Sequence, residues 1–281
     1  MTDRRDFIKA LGAAALAPAL QPLAPSLHSR ASLRKLDRIG LQLYTVRDVL
    51  AHDFEGTLAR VAEIGYRDVE FAGYFGHGPR EVRATLDRHG LVAPAAHVPI
   101  ELLGANWKGA LEDAHVTGHH FLVVAWIPAE QRRTLDDYKR TAQLFNRAGE
   151  EARAAGLEFA YHNHDFEFAP LAGKRPYDVL LAECDPARVR FEMDLFWITK
   201  GGGDPLAYFA AHPGRFPMVH VKDMKAGGEM TEVGSGIIAW KRILARRAQA
   251  GIEHCFVEHD QPADPFASIR ASFEYLRQLE F

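Results

Sequence analysis

From Arg38 onward the chain alternates short apolar runs with longer segments of helical period, and it does so eight times. Nothing else in the sequence restricts the fold as tightly, because repeated strand–helix units can close only into a parallel sheet covered by helices. The strand candidates are Ile39–Tyr44, Arg67–Phe71, Val92–His97, Phe121–Trp126, Leu157–His162, Arg188–Asp194, Met218–Val221 and His254–Glu258. Helical spacing fills the gaps. Phe54, Leu58 and Val61 recur at i, i+4 and i+7, with Asp53 as N-cap and Gly65 as the stop. Tyr138, Ala142, Phe145 and Ala152 mark a long helix ending at Gly156, and Ile269, Phe273 and Leu276 share one face of a helix over Pro265–Leu279. Eight such units in roughly 250 residues predict a (β/α)8 TIM barrel. An open doubly wound sheet would carry a glycine fingerprint after its first strand, and Leu43-Tyr44-Thr45-Val46-Arg47 contains no glycine. Chemistry on a closed barrel lies at the C-terminal ends of its strands.

The 281 residues are 47 % hydrophobic, enough for one core, so residues 31–281 are read as a single domain. A net charge of −3 and a pI near 6.5 supply no drive toward nucleic acid or anionic lipid; a small neutral or metal-chelating ligand fits better. Cys184 and Cys255 lack C-x-x-C spacing and are expected to be buried, unpaired thiols.

Residues 1–30 stand apart. Arg4-Arg5-Asp6-Phe7-Ile8-Lys9 precedes a small-residue apolar run, Ala10 to Ala17, and then a Pro-rich stretch. This resembles a twin-arginine signal peptide and linker, implying the twin-arginine export machinery as a partner and a periplasmic or otherwise exported protein. The apolar run is far shorter than the roughly 20 residues that span a bilayer, so no stable membrane insertion is expected after cleavage.

The strand ends, read in order, are Tyr44, Glu70, His97, Trp126, His162, Asp194, His220 and Glu258. The last four are all potential metal ligands. Their spacings of 32, 26 and 38 residues are each about one βα unit, as consecutive strands giving one ligand apiece require. Imidazole with carboxylate suits one divalent ion of Mn, Zn, Co or Fe(II), Mn first among them, and lacks the thiolates of a structural zinc site.

With these residues the chain resembles the sugar phosphate isomerase/epimerase family, the xylose isomerase-like barrels that include ketose epimerases, inosose dehydratases and endonuclease-IV-type enzymes. The resemblance covers nearly all of the chain beyond the signal. It rests on the ordered set Ala160-Tyr161-His162-Asn163-His164, Glu192-Met193-Asp194, Val219-His220-Val221-Lys222 and Val257-Glu258, with the Gly234-Ser235-Gly236 turn and Trp240 after strand seven. Family members carry Glu, Asp, His and Glu on strands five to eight, which implies His162, Asp194, His220 and Glu258 as ligands here. Two departures follow. His162 stands where many members have Glu, and Trp197 stands where ketose epimerases place a His three residues after the strand-six Asp. Of the glutamate pair thought to exchange a proton on opposite sugar faces, only Glu258 remains.

The resemblance implies metal-polarised carbonyl chemistry on a keto-sugar or keto-glycoside, through an enediolate. Proton return gives epimerisation or isomerisation, and loss of a β-substituent gives lyase chemistry. Glu258, His164 and Lys222 are the candidates for proton transfer, with Glu167 in reserve as a base or substrate contact. His164, two residues beyond His162, would share its strand face and serve as a base or as the ligand's partner. Lys222 could hold an oxyanion, and Glu70, His97 and Trp197 are expected to face the sugar; Tyr44, Phe71, Trp126 and Phe196 are further aromatics for stacking. Alternatives are a metal-dependent phosphodiesterase of the endonuclease-IV kind, which the acidic balance disfavours, and a non-catalytic sugar-binding barrel. Export and the lack of a basic cluster at the strand ends argue against a phosphorylated substrate.

Overall fold

The computed structural model describes residues 34–281; the signal-like segment lies outside them. Eight parallel strands close a barrel: β1 (Gly40–Gln42), β2 (Asp68–Phe71), β3 (Val92–Val98), β4 (Phe121–Val124), β5 (Glu158–His162), β6 (Val189–Asp194), β7 (Met218–Val221) and β10 (His254–Val257). Between β7 and β10 an antiparallel pair, β8 (Asp223–Met224) and β9 (Met230–Thr231), projects from the wall. The expected barrel is therefore present, and this small hairpin is an addition to it. Among the described residues no helix is long and apolar enough to cross a membrane.

Strand ends differ from expectation where side-chain hydrogen bonds turn the chain. β1 stops at Gln42, whose side-chain oxygen accepts from the Tyr44 backbone N–H at 3.0 Å and starts a 3-10 turn over Leu43–Val46. Tyr44 thus stands 41 % exposed beyond the strand, and Trp126, past the end of β4, is 49 % exposed. Glu258 lies one residue beyond β10.

Alternation places every second strand residue inside the barrel. Ala95, Phe121, Val123, Ala160, Met218 and Phe256 form a separate apolar plug there. Two residues further along their strands, His97, His162, His220 and Glu258 lie above it. The opposite faces, such as Phe159, Tyr161, Phe191, Val219 and Val257, join the main core under the helices. Cys184 and Cys255 are both buried and free.

The longest helix, Leu135–Ala154, begins with a reciprocal capping box: Thr134 accepts from the Asp137 N–H and the Asp137 carboxylate accepts from the Thr134 N–H. Its expected face, Tyr138, Ala142, Phe145 and Ala152, is buried. Gly149 on the same helix lets it approach the segment entering β6, since a Cβ would stand 2.2 Å from the Arg188 carbonyl oxygen. Gly149→Ala should therefore lower stability by about 1–3 kcal/mol through overpacking, despite the gain of about 1 kcal/mol in helix propensity. Urea denaturation checks the sign, and a more stable variant would show that the helix can move outward freely.

Candidate metal centre

The rim of the barrel is built from strands that end in titratable side chains. β6 closes with Asp194, whose Oδ1 accepts from the backbone N–H groups of Phe196 and Trp197, both at 2.9 Å, and so caps the following helix turn. That bond pair fixes the carboxylate and turns Oδ2 inward, 3.2 Å from His162 Nε2 and 3.7 Å from His220 Nδ1. Glu258 adds Oε2, 2.7 Å from His220 Nδ1. One ligand atom from each of His162, Asp194, His220 and Glu258 lies within 4.8 Å of the others, and all four side chains are buried.

His220 organises the cluster. Its Nε2–H donates to Glu70 Oε2 at 2.7 Å, with Glu192 Oε2 at 3.3 Å, so the proton of a neutral ring sits on that side and Nδ1 keeps its lone pair. Nδ1 and Glu258 Oε2 are 2.7 Å apart, and with the ring proton on Nε2 no hydrogen joins them. Two buried acceptors that close need a proton or a cation between them. Burial pulls the His220 imidazole down, but the Glu192, Glu258 and Glu70 carboxylates outweigh it and raise its affinity for a proton well above the usual value. A divalent ion displacing that proton is the ordinary coupling of metal binding to ligand ionisation. A carboxylate gripping the far nitrogen of a ligating imidazole is also the arrangement that orients metal-binding histidines. The donor set thus fits one divalent ion.

Beneath the rim lies a second polar layer that the sequence reading mostly missed. Glu70 is fully buried, accepting from His220 and from Gln42 Nε2 at 2.8 Å; it braces a candidate ligand as a barrel-floor partner and does not reach the mouth. His97 Nε2 donates to Glu192 Oε2 at 2.9 Å and lies 3.3 Å from Glu70. Burial lowers its pKa, yet the Glu70 charge and the bonds to both glutamates lift it to about 9, making it a cation that ties the two together. Glu192 and Gln42 were not assigned in the sequence. Glu192 was legible as the residue two before Asp194, on the same strand face.

Other expected site residues are displaced from their roles. Glu167 is buried against the outer face of β5, where its Oε1 accepts from the Tyr161 hydroxyl and its Oε2 accepts from the His164 backbone N–H at 2.9 Å. Burial pushes its carboxyl up to about 7, and it braces the loop after β5; it is not open to substrate. The reason is that Tyr161, at an odd position of β5, points toward the helices. β5 stops at His162, so His164 is a loop residue. It stacks on Phe166 with ring planes 7° apart, edges against Trp126, and lies 5.5 Å from Trp197. Burial first, then the neighbouring His162 ring and the Lys222 ammonium, push its pKa down to about 2, which suits a neutral hydrogen-bonding partner better than a base. Trp197 is half-buried beside it with an unpartnered Nε1–H. Lys222 is buried, its Nζ 3.0 Å from Asp194 Oδ2, 2.8 Å from Glu258 Oε2 and 2.9 Å from Asp260 Oδ1. Asp223, next to it, accepts from the backbone N–H groups of Gly234, Gly236 and Ile238 and from Trp240 Nε1, which pins the glycine turn. At the mouth a cavity of about 330 Å³ opens beside His97, Glu101 and Trp126.

The comparisons agree with this architecture. A crystal structure of a sugar phosphate isomerase/epimerase from Parabacteroides distasonis ATCC 8503 superposes with a TM-score of 0.78 at 28 % identity, covering 86 % of this chain and 98 % of that one. An inosose dehydratase of Lacticaseibacillus casei is 24 % identical over 265 residues, 79 % of this chain and 88 % of the relative. The IOLI protein, solved with a bound zinc atom, shares the fold at a TM-score of 0.67 and 14 % identity, over 84 % of this chain and 95 % of its own. A family model for the xylose isomerase-like TIM barrel matches residues 58–279, and the chain belongs to that family.

Proposed function

We propose that this chain is a divalent-metal-dependent lyase acting on a keto-sugar or keto-glycoside. The observation that carries the reading is His220, held by Glu70 through Nε2 and left with an unpartnered Nδ1 among His162, Asp194 and Glu258. A divalent ion bound there supplies Lewis acidity toward a carbonyl and its neighbouring hydroxyl. The rest falls to the chain's own side chains. Glu258 is the carboxylate placed to take the proton α to the carbonyl. Electrons of that C–H bond form the new C=C bond as the C–O bond to the β-substituent breaks. The proton then passes from Glu258 to the leaving oxygen, which departs as water or an alcohol. Lys222, an ammonium between Asp194 and Glu258, stabilises negative charge developing on the substrate oxygen. Trp126 offers an exposed face for stacking on the sugar.

Elimination is favoured over epimerisation by the asymmetry of the site. Epimerisation needs proton carriers on both faces of the reacting carbon. His162 occupies the strand-five position where many relatives carry the second glutamate, so Glu258 is the only glutamate among the four candidate ligands. The likeness to an inosose dehydratase, itself named for loss of water, supports the same choice. The paired arginines at Arg4-Arg5 support an exported enzyme meeting its substrate outside the cytoplasm.

Reconstituted protein should carry about one Mn(II), Co(II) or Zn(II) per chain by elemental analysis, falling to under about a tenth in His220→Ala and Asp194→Asn. Unchanged metal content in both variants, with folding verified by circular dichroism, would remove the site. Incubation with 3-keto-glycosides and inososes in D2O should release water or an aglycone, and Glu258→Gln should slow that step by roughly 10²–10⁴-fold. Solvent deuterium entering recovered substrate or its epimer without any elimination would assign the chain to the isomerase branch instead.

A further inference from the structure

Asp260 belongs neither to the candidate ligands nor to the polar layer beneath them, yet it is the third carboxylate on Lys222. The other two contacts of that ammonium, Asp194 Oδ2 and Glu258 Oε2, are the same oxygens that face His162 and His220. A divalent ion at His220 Nδ1 needs those lone pairs and would bring two positive charges close to a buried ammonium, a strong repulsion in this setting. Asp260 offers the ammonium another place. It follows Glu258 by two residues, and its side chain is 26 % exposed at the rim, where Asp194 and Glu258 are sealed. Among the described residues no other acidic group contacts Lys222.

Resting on the metal reading above, we propose that Lys222 is the internal cation of the metal-free centre, and that Asp260 is the positioning residue that retains Lys222 when a divalent ion takes Asp194 and Glu258. Lys222 remains an ammonium throughout and only exchanges partners. Without metal it balances the ligand carboxylates, which would otherwise be buried charges without compensation. With metal it is tethered by Asp260 next to the site, where the proposed reaction uses it. Asp260 therefore acts on metal affinity through Lys222, and its effect must disappear when Lys222 is gone.

The test is a double-mutant cycle on Mn(II) affinity, measured on the full chain by competition with a chelating dye. Lys222→Met should tighten Mn(II) binding about tenfold or more. Asp260→Asn should weaken it about tenfold in the wild-type background and by less than about twofold in the Lys222→Met background. Equal effects of Asp260→Asn in both backgrounds would mean that Asp260 acts on the ion directly, and would overturn the proposal while leaving the metal site intact. Wild-type protein that binds none of Mn(II), Co(II) or Zn(II) would instead defeat the metal reading and this proposal with it. If Lys222→Met does not fold, site-resolved lysine acylation of the wild type by mass spectrometry serves in its place. Mn(II) should raise labelling of Lys222 several-fold as the side chain moves to the rim, and unchanged labelling would overturn the proposal.

Discussion

The hydrogen bond from His220 Nε2 to Glu70 is the interaction on which the rest of the centre depends. It joins residues 150 apart in sequence, on β7 and β2, with β1 and β10 between them in the closed sheet. Only barrel closure brings them together. Once made, it fixes which ring nitrogen holds the proton, turns the other toward Asp194 and Glu258, and links the rim to the layer below. That layer is itself tied together, since His97 spans Glu70 and Glu192 and Gln42 donates to Glu70. The apolar plug of Phe121, Met218 and Phe256 closes it from beneath and keeps water from competing for these bonds.

Charge explains why such a layer persists. Glu70, Glu192, Asp194 and Glu258 are all buried, and isolated carboxylates there would cost several kcal/mol each. Lys222 and the protonated His97 compensate part of this charge, and His220 takes a proton in the metal-free chain. The centre thus behaves as a candidate cation site whose own side chains fill in for the ion. That Glu258 is the only glutamate among the four candidate ligands is the asymmetry behind the proposed elimination.

The barrel was legible in the sequence because alternation of short apolar runs with helical segments has few other solutions. The candidate ligands were legible for a related reason: in a closed barrel the last residue of each strand must point at a shared mouth. Reading failed one step further in. Glu70 could be read as a sugar contact or as a barrel-floor ion pair, and its buried pairing with His220 and His97 fits the second, which nothing local to β2 announces. Glu192 passed unassigned although its spacing from Asp194 puts both on one face. Glu167 and His164 could not be oriented from the sequence because β5 ends at His162, so strand alternation no longer sets their direction; the following loop is held by Tyr161 and Phe166. Asp260 and Asp223 act through loops whose hydrogen bonds no periodicity reports.

An anomalous-scattering map of crystals grown with Co(II) tests the central claim most directly. The account predicts one metal peak per chain, about 2.0–2.2 Å from His220 Nδ1 and bounded by His162, Asp194 and Glu258, with Nε2 still bonded to Glu70. A peak on the Nε2 side, among Glu70, His97 and Glu192, or no peak at all, would contradict it.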